Sequence, residues 1–67
     1  MENNHLTQVQ IYLLDEIKRK GIELGDLIED IRGEGEYVDQ RWLSIGTTNL
    51  QTGLMALARA VEKPDIF

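Results

Sequence analysis

Residues 39–64, DQRWLSIGTTNLQTGLMALARAVEKP, read as one amphipathic helix with both ends marked. Asp39 stands where an N-cap belongs, because its carboxylate can accept from the backbone N–H groups that the first helical turn leaves unpaired. Pro64 closes the segment, since its ring cannot continue the backbone ladder. Val38 faces Leu43 across the start as a hydrophobic staple. Leu43, Gly46, Leu50, Leu54, Leu57 and Val61 recur at helical spacing and form the main stripe, with Trp42, Gly53 and Ala60 beside it.

Working outward, the preceding half of the chain carries the same period. Leu6, Val9, Leu13, Ile17, Leu24, Ile28 and Ile31 lie three, four or seven residues apart, which predicts a helix over about 7–32. Thr7 and Gln10 make the T-x-x-Q pattern of a capping box, and Leu6 with Ile11 occupies the staple positions. Gly33 after Arg32 suits a left-handed residue at the end of a helix. Gly21 and Gly25 fall inside it, where each costs about 1 kcal/mol relative to alanine, so a close backbone approach or a bend is expected there. Two long helices joined by residues 33–38 should fold back on each other. The expected organisation is an N-terminal arm at 1–6 and one helical-hairpin domain at 7–64, its second helix running over about 39–62.

A bare hairpin buries only the strip between its helices. Ile11, Ile22, Ile45 and Met55 lie outside both stripes and require other partners. The chain has 67 residues and no cysteine, so neither a large core nor a disulfide can make up the deficit. The fold class is therefore all-α, an antiparallel two-helix hairpin assembling into a homo-oligomeric bundle.

Twelve acidic against seven basic residues give a net charge of −5, which argues against neutralising the phosphates of duplex nucleic acid. No run approaches the roughly 18 apolar residues of a membrane span, and MENNHLTQ lacks the basic start of a secretory signal. The chain reads as cytosolic and soluble, with neither membrane nor duplex nucleic acid as a partner. Catalysis normally recruits a positioned pair or triad of groups. Here there is one histidine, His5, in the arm, and the carboxylates Asp15, Glu16, Glu23, Asp26, Glu29 and Asp30 fit a solvated helix face. No catalytic residue, metal ligand or cofactor is assigned.

Charge distribution is more informative than its total. From Gln40 to Val61 there is no acidic residue, and Arg41 and Arg59 are the only charges. Arg41, Ile45, Thr48, Thr52, Met55 and Arg59 fall on one side of the helix, away from the leucines, at steps of four, three, four, three and four. Such a face suits an anion or a symmetric contact between copies. Lys18, Arg19 and Lys20 form the one basic cluster; Lys18 shares its side of the helix with Ile11, Ile22 and Gly25, where an ammonium would adjoin apolar surface. The alternative is an exposed turn paired with Asp15, Glu16 or Glu23. Tyr12 and Tyr37 suit either ligand stacking or packing, and Trp42 a core or interface anchor.

Residues 39–64 resemble the terminal helix of the phage anti-CBASS family, and LLDEIKRKGIELGDLIEDI is similar to that family's first long helix. The likeness runs from about Leu6 to Pro64, carried by the D-x-R-W-L and L-Q-x-G-x-M-A-L-x-R-A-V elements with the weaker I-K-x-x-G element. It implies a compact homohexamer in the cytoplasm of a bacterial host that sequesters cyclic oligonucleotide second messengers without cleaving them, so that they do not reach their effector. It further implies cyclic dinucleotide sites between protomers, with Lys18 on phosphate and Lys20 nearby. Cyclic trinucleotide sites near three-fold axes would use Arg59, on the face that also carries Thr48 and Thr52. The family's tyrosine before the first long helix is replaced here by Asn3-Asn4-His5-Leu6. Either the dinucleotide site is weakened, or Tyr12 or a partner protomer's aromatic takes the stacking role. A protein-binding or structural module of the same oligomeric build, with no nucleotide ligand, is the competing function.

Overall fold

The computed structural model describes residues 6–63. Helix α1 spans Gln8–Arg32, a short 3-10 turn spans Gly35–Tyr37, and helix α2 spans Gln40–Glu62. The helices pack along each other as a hairpin.

Local chemistry sets the ends. At α1 the Thr7 hydroxyl accepts from the Gln10 backbone N–H at 3.1 Å, while Gln10 Oε1 accepts from the Thr7 N–H at 2.7 Å. The capping box expected from the sequence is thus complete, and two otherwise unpaired donors are satisfied. At α2 one carboxylate oxygen of Asp39 accepts from the N–H groups of both Arg41 and Trp42, at 3.0 and 3.1 Å. Lys63 ends α2 in the left-handed conformation, φ 49°, its N–H bonded to the Arg59 carbonyl at 2.9 Å.

The reversal after α1 departs from the sequence reading. Gly33 keeps a right-handed helical backbone, φ −66°, and donates to Glu29 O; Glu34 then donates to Ile31 O. The left-handed residue is Gly35, φ 62°, at the start of the 3-10 turn. A side chain at Gly33 would pass close to the carbonyls of Asp30 and Glu29. Those are ordinary contacts, so the position that requires glycine is 35, whose positive φ supplies the reversal. Gln40 braces this turn by donating from Nε2 to Gly35 O at 2.9 Å.

The seam between the helices is also shifted from the leucine-counted stripes. On α1 the half-buried line is Gln10, Leu14, Ile17, Gly21, Leu24, Ile28 and Ile31; Val9 and Leu13 are exposed. On α2 it is Leu43, Thr47, Leu54, Ala58 and Val61, with Leu50 at its margin, while Gly46 and Leu57 face outward. Small or self-satisfied groups belong where helices come close. Gly21 is such a point, since a Cβ there would meet Leu54 Cδ1 at 3.4 Å. The Thr47 hydroxyl donates to the Leu43 carbonyl at 2.8 Å, so it tolerates partial burial.

No described residue is fully buried. Trp42, Met55, Val9, Tyr12, Ile22 and Leu57 each leave more than half of their surface open, between 56% and 66%. A single layer of two helices cannot cover both sides of any side chain, and it leaves large apolar side chains of both helices exposed.

Candidate functional site

Among the described residues, grooves open on either flank of the helical seam. One, of about 270 Å³, is formed by Gly21, Leu24, Gly25, Ile28, Glu29 and Arg32 of α1 with Thr47, Leu50, Gln51 and Leu54 of α2. The other, of about 290 Å³, is lined by Leu13, Glu16, Ile17 and Lys20 with Leu54, Leu57, Ala60 and Val61, and is almost wholly apolar apart from its rim. Helical phase puts Gly25 and Arg32 on one side of α1, and Leu13 and Lys20 on the other.

The basic cluster separates into different environments. Arg19 is committed locally: it bonds Asp15 at 2.6 Å and lies 3.3 Å from a Glu16 oxygen. Its hydrogen bond to Asp15, followed by the charge of Glu16, raises its pKa from an already basic value, so it stays cationic at every accessible pH. Lys18 and Lys20 make no ion pair among the described residues. They are two residues apart, about 200° around the helix. Lys20 lines the apolar groove, whereas Lys18 lines neither groove and by helical phase lies on the side of Gly25. One hairpin does not bring the two ammonium groups to one point.

Arg59, Thr48 and Thr52 are exposed on α2, on the side turned away from α1, together with Arg41, Ile45 and Met55. The acid-free face therefore takes no part in closing the hairpin. Tyr12 is 60% exposed on α1 and lines neither groove. His5, Asn3 and Asn4 lie outside the described residues, as does Pro64. Among the described residues no cluster of three or more histidine, aspartate or glutamate side chains is placed to hold a metal.

Sequence reasoning passed over the polar rim of the first groove. Arg32 and Glu29 pair across one helical turn, and Gln51 faces them from α2 with Thr47 beside it. No motif marks these residues. The available signal is that Lys18, Gly21, Gly25 and Arg32 share one side of α1 at helical spacing.

A short helical hairpin with open grooves and a carboxylate-free outer face defines a small module built around surface contacts. The family model described as Acb2/Tad1, hairpin domain, matches residues 3–62, which takes in both helices. The chain belongs to that family, the anti-CBASS sponge proteins. The family is one of cyclic-oligonucleotide binders, sponges rather than enzymes. No curated protein and no solved structure matches the chain. Among the described residues, no helix is long and apolar enough to cross a membrane.

Proposed function

We propose that this chain is a phage anti-defence protein that captures cyclic di- and trinucleotides intact in the cytoplasm of the bacterial host, as a homohexamer, and so prevents activation of CBASS effectors. The observation that carries the reading is the outer face of α2. Arg41, Thr48, Thr52 and Arg59 are exposed there, on a stretch from Gln40 to Val61 that carries no acidic residue.

A cyclic oligonucleotide is a compact polyanion that gives up little conformational entropy on binding. Rotational symmetry would multiply each donor, so three copies of Arg59 around an axis meet the phosphates of a cyclic trinucleotide. Thr48 and Thr52 would add hydroxyl donors on that face. Dinucleotides would be held between protomers, with Lys18 on phosphate. The positions of Lys18 and Lys20 on opposite sides of α1 mean that any site using both draws them from different protomers. Tyr12 would supply stacking in place of the aromatic missing from the arm.

Self-association is supported by the apolar side chains left open on both helices. The open side chains of Val9, Ile22, Leu57 and Met55 become covered only when other copies pack against them. The competing reading, a protein-binding module without a nucleotide ligand, rests on that apolar surface alone. Isothermal titration against a panel of cyclic di- and trinucleotides separates the two. Saturable heat with recovery of unaltered ligand supports capture; no heat with any member removes it.

A further inference from the structure

We infer that the groove between Gly21, Gly25 and Gln51 is a slot for a nucleobase of the bound cyclic oligonucleotide, with Gln51 reading the edge of the base. The inference rests on the reading of the chain as a cyclic-oligonucleotide binder and adds to it the group that selects among bases.

The slot has the shape and chemistry that a heterocycle needs. Its volume, about 270 Å³, exceeds that of a single base and is too small for a whole cyclic oligonucleotide. Leu24, Ile28 and Leu50 offer apolar surface for a π face. Gly25 carries no side chain into it, and a Cβ built there meets nothing within 4 Å, so the space is open on the side where a planar ring would enter.

The polar groups lie where a base edge would end. Gln51 carries a donor and an acceptor side by side, the pair that matches the adjacent acceptor and donor of adenine. Its amide makes no side-chain hydrogen bond to any residue of the hairpin among the described residues. Across the groove, Arg32 is held by Glu29, which fixes a second donor on the rim. Lys18 lies one turn before Gly21 on the same side of α1, about 4.5 Å along the axis. Lys18 would then meet a phosphate beyond the end of the slot and not within it.

Two variants test the assignment. Gly25→Leu directs a side chain toward the slot from a Cβ that meets nothing within 4 Å and replaces a poor helix former with a good one, so helicity should be kept, which circular dichroism checks before affinities are compared. Its affinity for adenine-containing cyclic dinucleotides, whose site the slot adjoins, should fall by about tenfold or more, with trinucleotide binding at Arg59 unaffected. Gln51→Leu should lower affinity for those ligands by about tenfold relative to ligands lacking adenine, with an unchanged dependence on salt. Titration of both variants and of the unaltered protein against adenine-, guanine- and uracil-containing cyclic di- and trinucleotides reads these effects. Unchanged affinities in both variants, with the unaltered protein still binding, would overturn the slot and leave the proposed function standing. Dissociation of Gly25→Leu assemblies in the ultracentrifuge would show the groove to be filled by another copy and would also overturn it. Failure of the unaltered protein to bind any member would overturn slot and function together.

Discussion

Gln10 and Val61 are joined across the open end of the hairpin: Nε2 of Gln10 donates to the Val61 carbonyl at 2.9 Å, while Oε1 of the same amide caps α1 by accepting from Thr7 N–H. One side chain thus satisfies an unpaired donor at the beginning of α1 and a carbonyl in the last turn of α2. Both groups belong to the sets that helices leave unpaired at their ends. The amide therefore holds the two termini of the hairpin together, far from the connecting turn.

Replacing Gln10 by alanine removes both bonds and should destabilise the fold by about 1–2 kcal/mol. Gln10→Glu keeps the acceptor for Thr7 N–H but sets a carboxylate against the Val61 carbonyl. It should be less stable than the parent despite its favourable position near a helix start. Urea denaturation followed by circular dichroism measures both. Equal stability of Gln10→Glu and the parent would mean that the bond to Val61 contributes no more than a carboxylate gains at the helix start.

Gln10 was legible as half of a capping box because that pattern depends on residues three apart. Its bond to Val61 depends on how the second helix docks, which local spacing does not encode. The same distinction explains the shifted seam. Counting residues at helical spacing selects Val9, Leu13, Gly46 and Leu57, whereas docking selects Gln10, Leu14, Thr47 and Ala58. Close approach at Gly21 and Leu54 favours small or internally bonded groups along the seam. The large residues left outside were counted as core because a period reports a face and not its partner. The acid-free face was legible because it is a property of composition along one helix. The polar rim at Glu29, Arg32 and Gln51 was not, since it arises only when the helices are laid side by side.

The helix starts make separable contributions. Thr7→Ala and Asp39→Ala should each cost about 1 kcal/mol, and the double variant should cost nearly their sum, because the caps stand at opposite ends of the hairpin. Melting curves of the three variants at one protein concentration check this. Strong non-additivity would indicate that the caps are coupled through packing with other copies.

Glycines open within the hairpin provide a probe of assembly. A Cβ at Gly53 meets nothing within 4 Å, so Gly53→Leu should preserve or raise helicity in a single hairpin. If copies pack on the side of α2 that carries Gly46, Gly53 and Leu57, the variant should shift the protein toward monomers. Sedimentation velocity distinguishes this from an unaffected assembly, which would place the contact elsewhere. Melting temperature should also rise with concentration for the parent and lose that dependence in the variant.

The cations should divide by role. Lys18→Ala should weaken cyclic dinucleotide binding and Arg59→Ala cyclic trinucleotide binding, each reducing the salt dependence for its own ligand class. Arg19→Ala should leave both within about twofold, because Asp15 and Glu16 already engage that guanidinium at the surface. Titrations at two salt concentrations resolve the three. Parallel losses in all of them for every ligand would show a general charge effect and no distinct sites.

Native mass spectrometry of the protein incubated with cyclic di- and trinucleotides, followed by heating and analysis of the released ligand, reads assembly, occupancy and ligand integrity at once. The account predicts a hexamer carrying ligand that is recovered at its original mass. A monomer without ligand, or release of linear or hydrolysed nucleotide, would contradict it.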